Sequence, residues 1–68
     1  MSHEQPDAVV LAEGFAKIEE AMHYLNLSRA SVYSLMDRGE LRYAKFGRSR
    51  RIPRQALRDY ARRSLVGG

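Results

Sequence analysis

Residues 18–39, IEEAMHYLNLSRASVYSLMDRG, decide the fold. Ile18, Ala21, Met22 and Leu25 stand at i, i+3, i+4 and i+7, so a helix over this stretch carries one apolar stripe. Glu19 and Glu20 occupy its first turn, where negative charge favours the positive end of the helix dipole. Asn26 follows the last stripe residue and tolerates the left-handed backbone that ends a helix. The chain then turns through Leu27. Ser28 is suited to cap a second helix, because its hydroxyl accepts from a free backbone N–H of the first turn. Gly39 closes that helix. Val32, Leu35 and Met36 form its apolar face, leaving Arg29, Ala30, Tyr33, Ser34 and Asp37 on the other side.

Toward the C-terminus, residues 41–46 read as a strand, 47–50 as a turn, and Arg51-Ile52 as the start of a return strand. Alternation is expected to send Ala44, Phe46 and Ile52 to one face and Lys45 and Arg51 to the other. Pro53 suits the first position of a last helix, with Ala56, Leu57, Tyr60 and Ala61 turned inward. Arg54, Arg58 and Arg62 recur on it at helical spacing, a row that reads equally well as a solvated face. Toward the N-terminus, residues 1–14 lack helical periodicity, contain Pro6 and end in Gly14. Within this arm, residues 8–12 (AVVLA) read as a short strand, because valine favours the pleated backbone, with a floppy tail as the alternative. The expected organisation is an arm over 1–14, one domain over 15–64 and a tail over 65–68. The expected fold class is mainly α with a small β-hairpin, hence α+β. Two short helices meeting across three residues have the spacing of a helix-turn-helix, and the hairpin would be its wing.

Sixty-eight residues without cysteine leave neither disulfides nor a thiolate zinc site, so the core must come from tightly packed helices. The apolar run at 8–12 is too short for a signal peptide or a membrane span, and a soluble, cytoplasmic protein is expected. The net charge of +4 is divided unevenly. Residues 1–28 hold one Lys against five acids, whereas 29–68 hold eleven Lys or Arg against three. The basic half is the candidate binding surface for a polyanion. An enzyme is not expected. His3 and His23 are isolated, no His/Cys/carboxylate set has metal spacing, and no serine has a base and an orienting acid nearby. Gly47-Arg48-Ser49-Arg50 lacks the Lys-Ser/Thr ending of a phosphate-binding loop. No catalytic residue, metal or cofactor is therefore assigned.

The run from Ala16-Lys17-Ile18-Glu19-Glu20-Ala21 to Tyr24-Leu25-Asn26-Leu27-Ser28-Arg29 resembles the start of excisionase-type DNA-binding domains, a branch of the MerR-like winged helices. Ser31-Val32-Tyr33, Arg38-Gly39-Glu40-Leu41, Phe46-Gly47 and Arg51-Ile52-Pro53-Arg54 follow in register, then Ala56-Leu57 and Tyr60. The resemblance covers residues 16–60. Three positions depart from it. Lys17 stands where the family usually has a capping Ser or Thr, Asn26 where glycine is frequent, and Arg50 where an aromatic is common near the wing tip. The last change adds charge where packing was expected, and reads as a wing that depends more on phosphate contacts.

The resemblance implies that the second helix enters the major groove of double-stranded DNA while the wing touches the neighbouring minor groove or backbone. Ser28, Arg29, Ala30, Tyr33 and Ser34 are the expected DNA-binding residues of the helix. Arginine can pair with guanine and a methyl can meet thymine; Tyr33 has packing as its alternative. Lys45, Arg48, Ser49, Arg50 and Arg51 are the expected phosphate or minor-groove contacts of the wing. The implied function is that of an excisionase, or recombination directionality factor. Such a protein binds repeated sites near a phage or mobile-element attachment site in a bacterial host cell. It bends the DNA and promotes excision by an integrase, a tyrosine or serine recombinase. The alternative is a small MerR-like transcriptional regulator, such as a repressor. A full MerR-type regulator carries a dimerising helix and an effector domain after the winged helix, whereas this chain stops at Gly68, which favours the first. Self-association on tandem sites is expected through residues 8–12, added as a strand to a neighbour's wing.

Overall fold

In the computed structural model, which describes residues 6–67, the chain runs through α1 (Pro6–Glu13), β1 (Phe15–Ala16), α2 (Ile18–Leu25), α3 (Arg29–Asp37), β2 (Ala44–Phe46), β3 (Ser49–Pro53) and α4 (Arg54–Ser64). The start of α2 is half-capped. The Lys17 backbone N–H donates to Glu20 Oε1 at 3.1 Å, but an ammonium has only donors and cannot complete the reciprocal bond of a capping box. Its end is firmer. Asn26 sits at φ 57°, ψ 49°, with the Leu27 N–H on the Met22 carbonyl at 2.9 Å and its own N–H on the His23 carbonyl at 3.3 Å. These are the paired bonds of a Schellman motif.

Ser28 caps α3 as its sequence position predicts, its Oγ accepting from the Ser31 N–H at 3.1 Å. Gly39, at φ +77°, ends the helix in the same manner as Asn26 ends α2. Its N–H meets the Met36 carbonyl at 3.1 Å and the Glu40 N–H meets Leu35 at 2.9 Å. The left-handed turn aims Leu41 inward, where it is 1% exposed. Leu41 therefore belongs to the core and not to a strand, and β2 begins only at Ala44.

The sheet has the order β1-β3-β2, both pairings antiparallel. Phe46 lies opposite Ser49, so the hairpin turn is the two residues Gly47-Arg48 and not the four of 47–50. Gly47 takes φ +62°, the left-handed value that a turn with glycine at its first central position uses. The register also corrects the expected faces. Residues directly opposite share a face, so Ala44 and Phe46 lie with Arg51 and Ser49, while Lys45 lies with Arg50 and Ile52. Ile52 turns into the core at 0% exposure; Phe46 stays outside and meets Phe15 edge-on at 5.3 Å between ring centroids. The core beneath is built from the inward faces of α2, α3 and α4 with Ala16, Leu41 and Ile52. On α4, Leu57 is buried and Ala56, Tyr60 and Ala61 are half-buried, as their spacing predicts.

The arm differs from expectation. Residues 8–12 lie inside the helix α1, not in a strand. Pro6 is pre-set for a first helical position, and Ala8, Leu11, Ala12 and Glu13 are strong helix formers that outweigh the two valines. A helix also satisfies its own backbone, whereas a lone strand needs a neighbour. Gly14, at φ +80°, stops it. The strand that completes the sheet is instead Phe15–Ala16, paired with Pro53 and Ile52. Addition of residues 8–12 to a neighbour's wing is incompatible with this helix, which lies against α4 and β3. Among the described residues, no helix is long and apolar enough to cross a membrane.

Candidate nucleic-acid interface

The Schellman turn at Asn26 and the Ser28 cap bring the start of α3 to the surface with Ser28, Arg29 and Ala30 all exposed. The Ser28 hydroxyl is committed locally, accepting from the Ser31 N–H and donating to Ser31 Oγ at 3.0 Å. Arg29 reaches across the turn to Glu19, Nη2 to Oε2 at 2.7 Å. This hydrogen bond is the largest cause that lowers the Glu19 carboxyl below its ordinary range and raises Arg29 above its own. The two side chains are 52% and 67% exposed, so water screens the pair and another anion can compete for the guanidinium. Tyr33 and Ser34 are half-buried. Tyr33 packs against the core. Ser34 Oγ accepts from Arg38 Nη1 at 2.9 Å.

On the wing, Lys45, Arg48 and Ser49 are exposed and Arg51 is half-buried. Arg51 Nη1 donates to the Arg50 carbonyl at 3.0 Å. Lys45 and Arg48 make no hydrogen bond or ion pair with any described residue. Arg50 is different. Its side chain is only 25% exposed and its Nη1 lies 3.1 Å from Asp37 Oδ1. Its Cζ stands over two rings, 5.1 Å from that of Tyr33 and 4.6 Å from that of Tyr43. Arg50 thus fills the packing role that sequence reading had denied it, with its charge held by the protein.

Folding also rearranges the charge. Every carboxylate from Glu13 to Asp59 is in an ion pair with an arginine: Glu13 with Arg58, Glu19 with Arg29, Glu20 with Arg54, Asp37 with Arg50, Glu40 with Arg38 and Asp59 with Arg62. The α4 row of Arg54, Arg58 and Arg62 is consequently committed to acids. Three of these pairs join the acidic and basic halves of the sequence, and among the described residues the cations of the wing, Lys45, Arg48 and Arg51, are left without a carboxylate. No side chain in the linear sequence announces these pairings. The 34-residue separation of Glu20 and Arg54 is closed by the pairing of β1 with β3.

Two short helices joined by a three-residue turn, with an antiparallel hairpin beside them whose cations stand unopposed, define a winged helix-turn-helix of the DNA-binding class. The chain belongs to the helix-turn-helix domain family, whose model matches residues 17–64. It is also 48% identical over 49 residues to a probable excisionase of Saccharopolyspora erythraea, a match covering 72% of this chain. The chain spans about half the length of that curated relative, the match covering 50% of it. The excisionase-type resemblance carried by the motifs thus extends to this relative. No solved structure matches the chain.

Proposed function

We propose that the protein acts as an excisionase: it binds double-stranded DNA beside an attachment site, bends it and promotes excision by an integrase. Helix α3 lies in the major groove, where Arg29 exchanges Glu19 for a guanine edge and Ala30 meets a thymine methyl. Ser28 stands at the capped start of the helix, close to the DNA backbone. The β2–β3 wing rests on the flanking phosphates or minor groove through Lys45, Arg48, Ser49 and Arg51, which position the domain without reading sequence. Tyr33 and Ser34, half-buried, contribute less than their place on the outer side of α3 suggests.

The observation that carries this reading is the charge left over after folding. Among the described residues six arginines are matched by carboxylates, and the wing holds Lys45, Arg48 and Arg51 without one; Lys17 and Arg63 also lack one but stand outside the hairpin. Like charges on the two short strands and on the turn that joins them repel one another and add nothing to the hairpin, so a polyanionic partner accounts for them. The similarity to a probable excisionase of Saccharopolyspora erythraea supports the excisionase role over that of a repressor.

Footprinting on the DNA flanking the protein's own gene tests the binding mode. The expected result is guanine N7 protection where α3 lies, flanked by backbone protection from the wing. An excision assay with the cognate integrase tests the role. Stimulation is expected; specific binding without any stimulation would leave a transcriptional regulator, and no duplex binding at all would overturn the reading.

A further inference from the structure

We infer that Arg50 is a positioning residue: from inside the protein it sets the angle between the wing and α3, and it does not itself hold a phosphate. The inference rests on the DNA-binding reading above, but the contact it concerns exists in the free protein. Arg50 lies on β3 on the same side as Ile52, opposite Lys45. Its guanidinium joins three pieces of chain. Asp37 is the last residue of α3, Tyr33 stands one turn earlier on that helix, and Tyr43 is in the connection that leads into β2.

Each residue beyond Arg50 carries the hairpin outward by about 3.3 Å, so a small error in the angle at Arg50 grows toward Arg48. The pair that sets this angle is the least exposed on its arginine side, 25% against 43% for Arg58 and 73% for Arg62. Asp37 itself is 64% exposed, so water screens the ion pair from that side, and the two ring faces that cover the guanidinium add cation–π attraction on top of it. To reach a phosphate, Arg50 would have to leave the carboxylate and both rings. Lys45 and Arg48, which leave nothing behind, are the better placed cations.

Charge and positioning predict opposite signs for Asp37→Asn. On a surface that merely attracts phosphate, removing a carboxylate tightens binding. A clamp that loses its carboxylate binds roughly two- to fivefold more weakly, and Arg50→Ala weakens binding by roughly three- to tenfold. Neither change alters the slope of log affinity against log salt, whereas Lys45→Ala reduces it by about one. Arg50→Phe, which keeps a flat group between the two rings without a charge, recovers most of the affinity lost in Arg50→Ala. Amide hydrogen exchange on the free proteins supplies a readout that needs no DNA: the β2–β3 amides exchange faster in Asp37→Asn and Arg50→Ala than in the wild type. Should the protein bind no DNA, this exchange still tests the clamp. Tighter binding by Asp37→Asn, a slope reduced by about one in Arg50→Ala, or unchanged hairpin exchange in both variants would overturn it. Should Arg50→Ala fail to fold, Asp37→Asn and Arg50→Phe decide.

Discussion

The Arg54 guanidinium lies 2.8 Å from the Glu20 carboxylate and 3.2 Å from the Phe15 carbonyl, joining the first turn of α4 to the first turn of α2. Through this contact one arginine of the basic C-terminal half is paired with a carboxylate of the acidic N-terminal half. With the companion pairs Glu13–Arg58 and Glu19–Arg29, it takes Arg54 and Arg58 out of the candidate DNA surface, whereas Arg63 of α4 donates to the Glu40 carbonyl and keeps its charge.

Acidification should release the contacts of Glu20 and Glu19. The Arg54 hydrogen bond, followed by that of the Lys17 N–H, holds the Glu20 carboxyl below its ordinary range. Glu19 is lowered chiefly by Arg29. A carboxyl depressed in the folded state contributes stability above its unfolded pKa, and the contribution is lost as pH falls through the folded value. The thermal midpoint should therefore drop between about pH 5 and pH 3. The drop should be smaller in Glu20→Gln, followed by circular dichroism; equal drops would contradict the assignment.

Lys17 offers a gain. Its backbone already has the extended geometry of a helix cap, φ −75° and ψ 164°, without an accepting side chain. Lys17→Ser should stabilise the protein by about 1 kcal/mol, read as a higher urea midpoint at unchanged slope. No gain would mean that the Glu20 half of the box already suffices.

Arg29 must give up Glu19 before it can read a base. Glu19→Gln should therefore raise affinity for duplex DNA, measured by fluorescence anisotropy. Arg29→Ala should change preference at one base pair by about 1 to 3 kcal/mol while affecting other sequences little. A uniform loss on all duplexes would reassign Arg29 to the backbone.

These predictions draw unevenly on what the linear sequence reveals. The helix-turn-helix was legible because its limits are local: Asn26, Ser28 and Gly39 each act on backbone groups a few residues away. The helix α1 was not, since five consecutive apolar residues carry no 3.6-residue period and two valines suggest a strand. The two-residue β1 is too short to show any period, and the pleat of the wing depended on recognising Gly47-Arg48 as the whole turn. For the candidate site, the basic residues of the wing were visible as a cluster. Which of them are unopposed was not, because Asp37 and Arg50 are 13 positions apart and Glu13 and Arg58 are 45. Only the folded chain separates Arg50, held between Tyr33 and Tyr43, from Arg48, which is free of described partners.

The core is expected to have little stability to spare. Leu41 is 1% exposed and is delivered by the turn at Gly39. Leu41→Ala should cost about 2 to 5 kcal/mol, comparable with everything a domain of this size has, and should leave the chain largely unfolded by circular dichroism at room temperature. A cooperative transition near that of the wild type would place Leu41 outside the core.

The most direct test of the central claim, that unopposed wing cations hold DNA by its phosphates, is the salt dependence of duplex affinity for the wild type and for Lys45→Ala with Arg48→Ala. Neutralisation of about three phosphates by Lys45, Arg48 and Arg51 gives a slope of log affinity against log salt of roughly −3. The double variant should show roughly −1. A wild-type slope near zero, or the same slope in both proteins, would contradict the account.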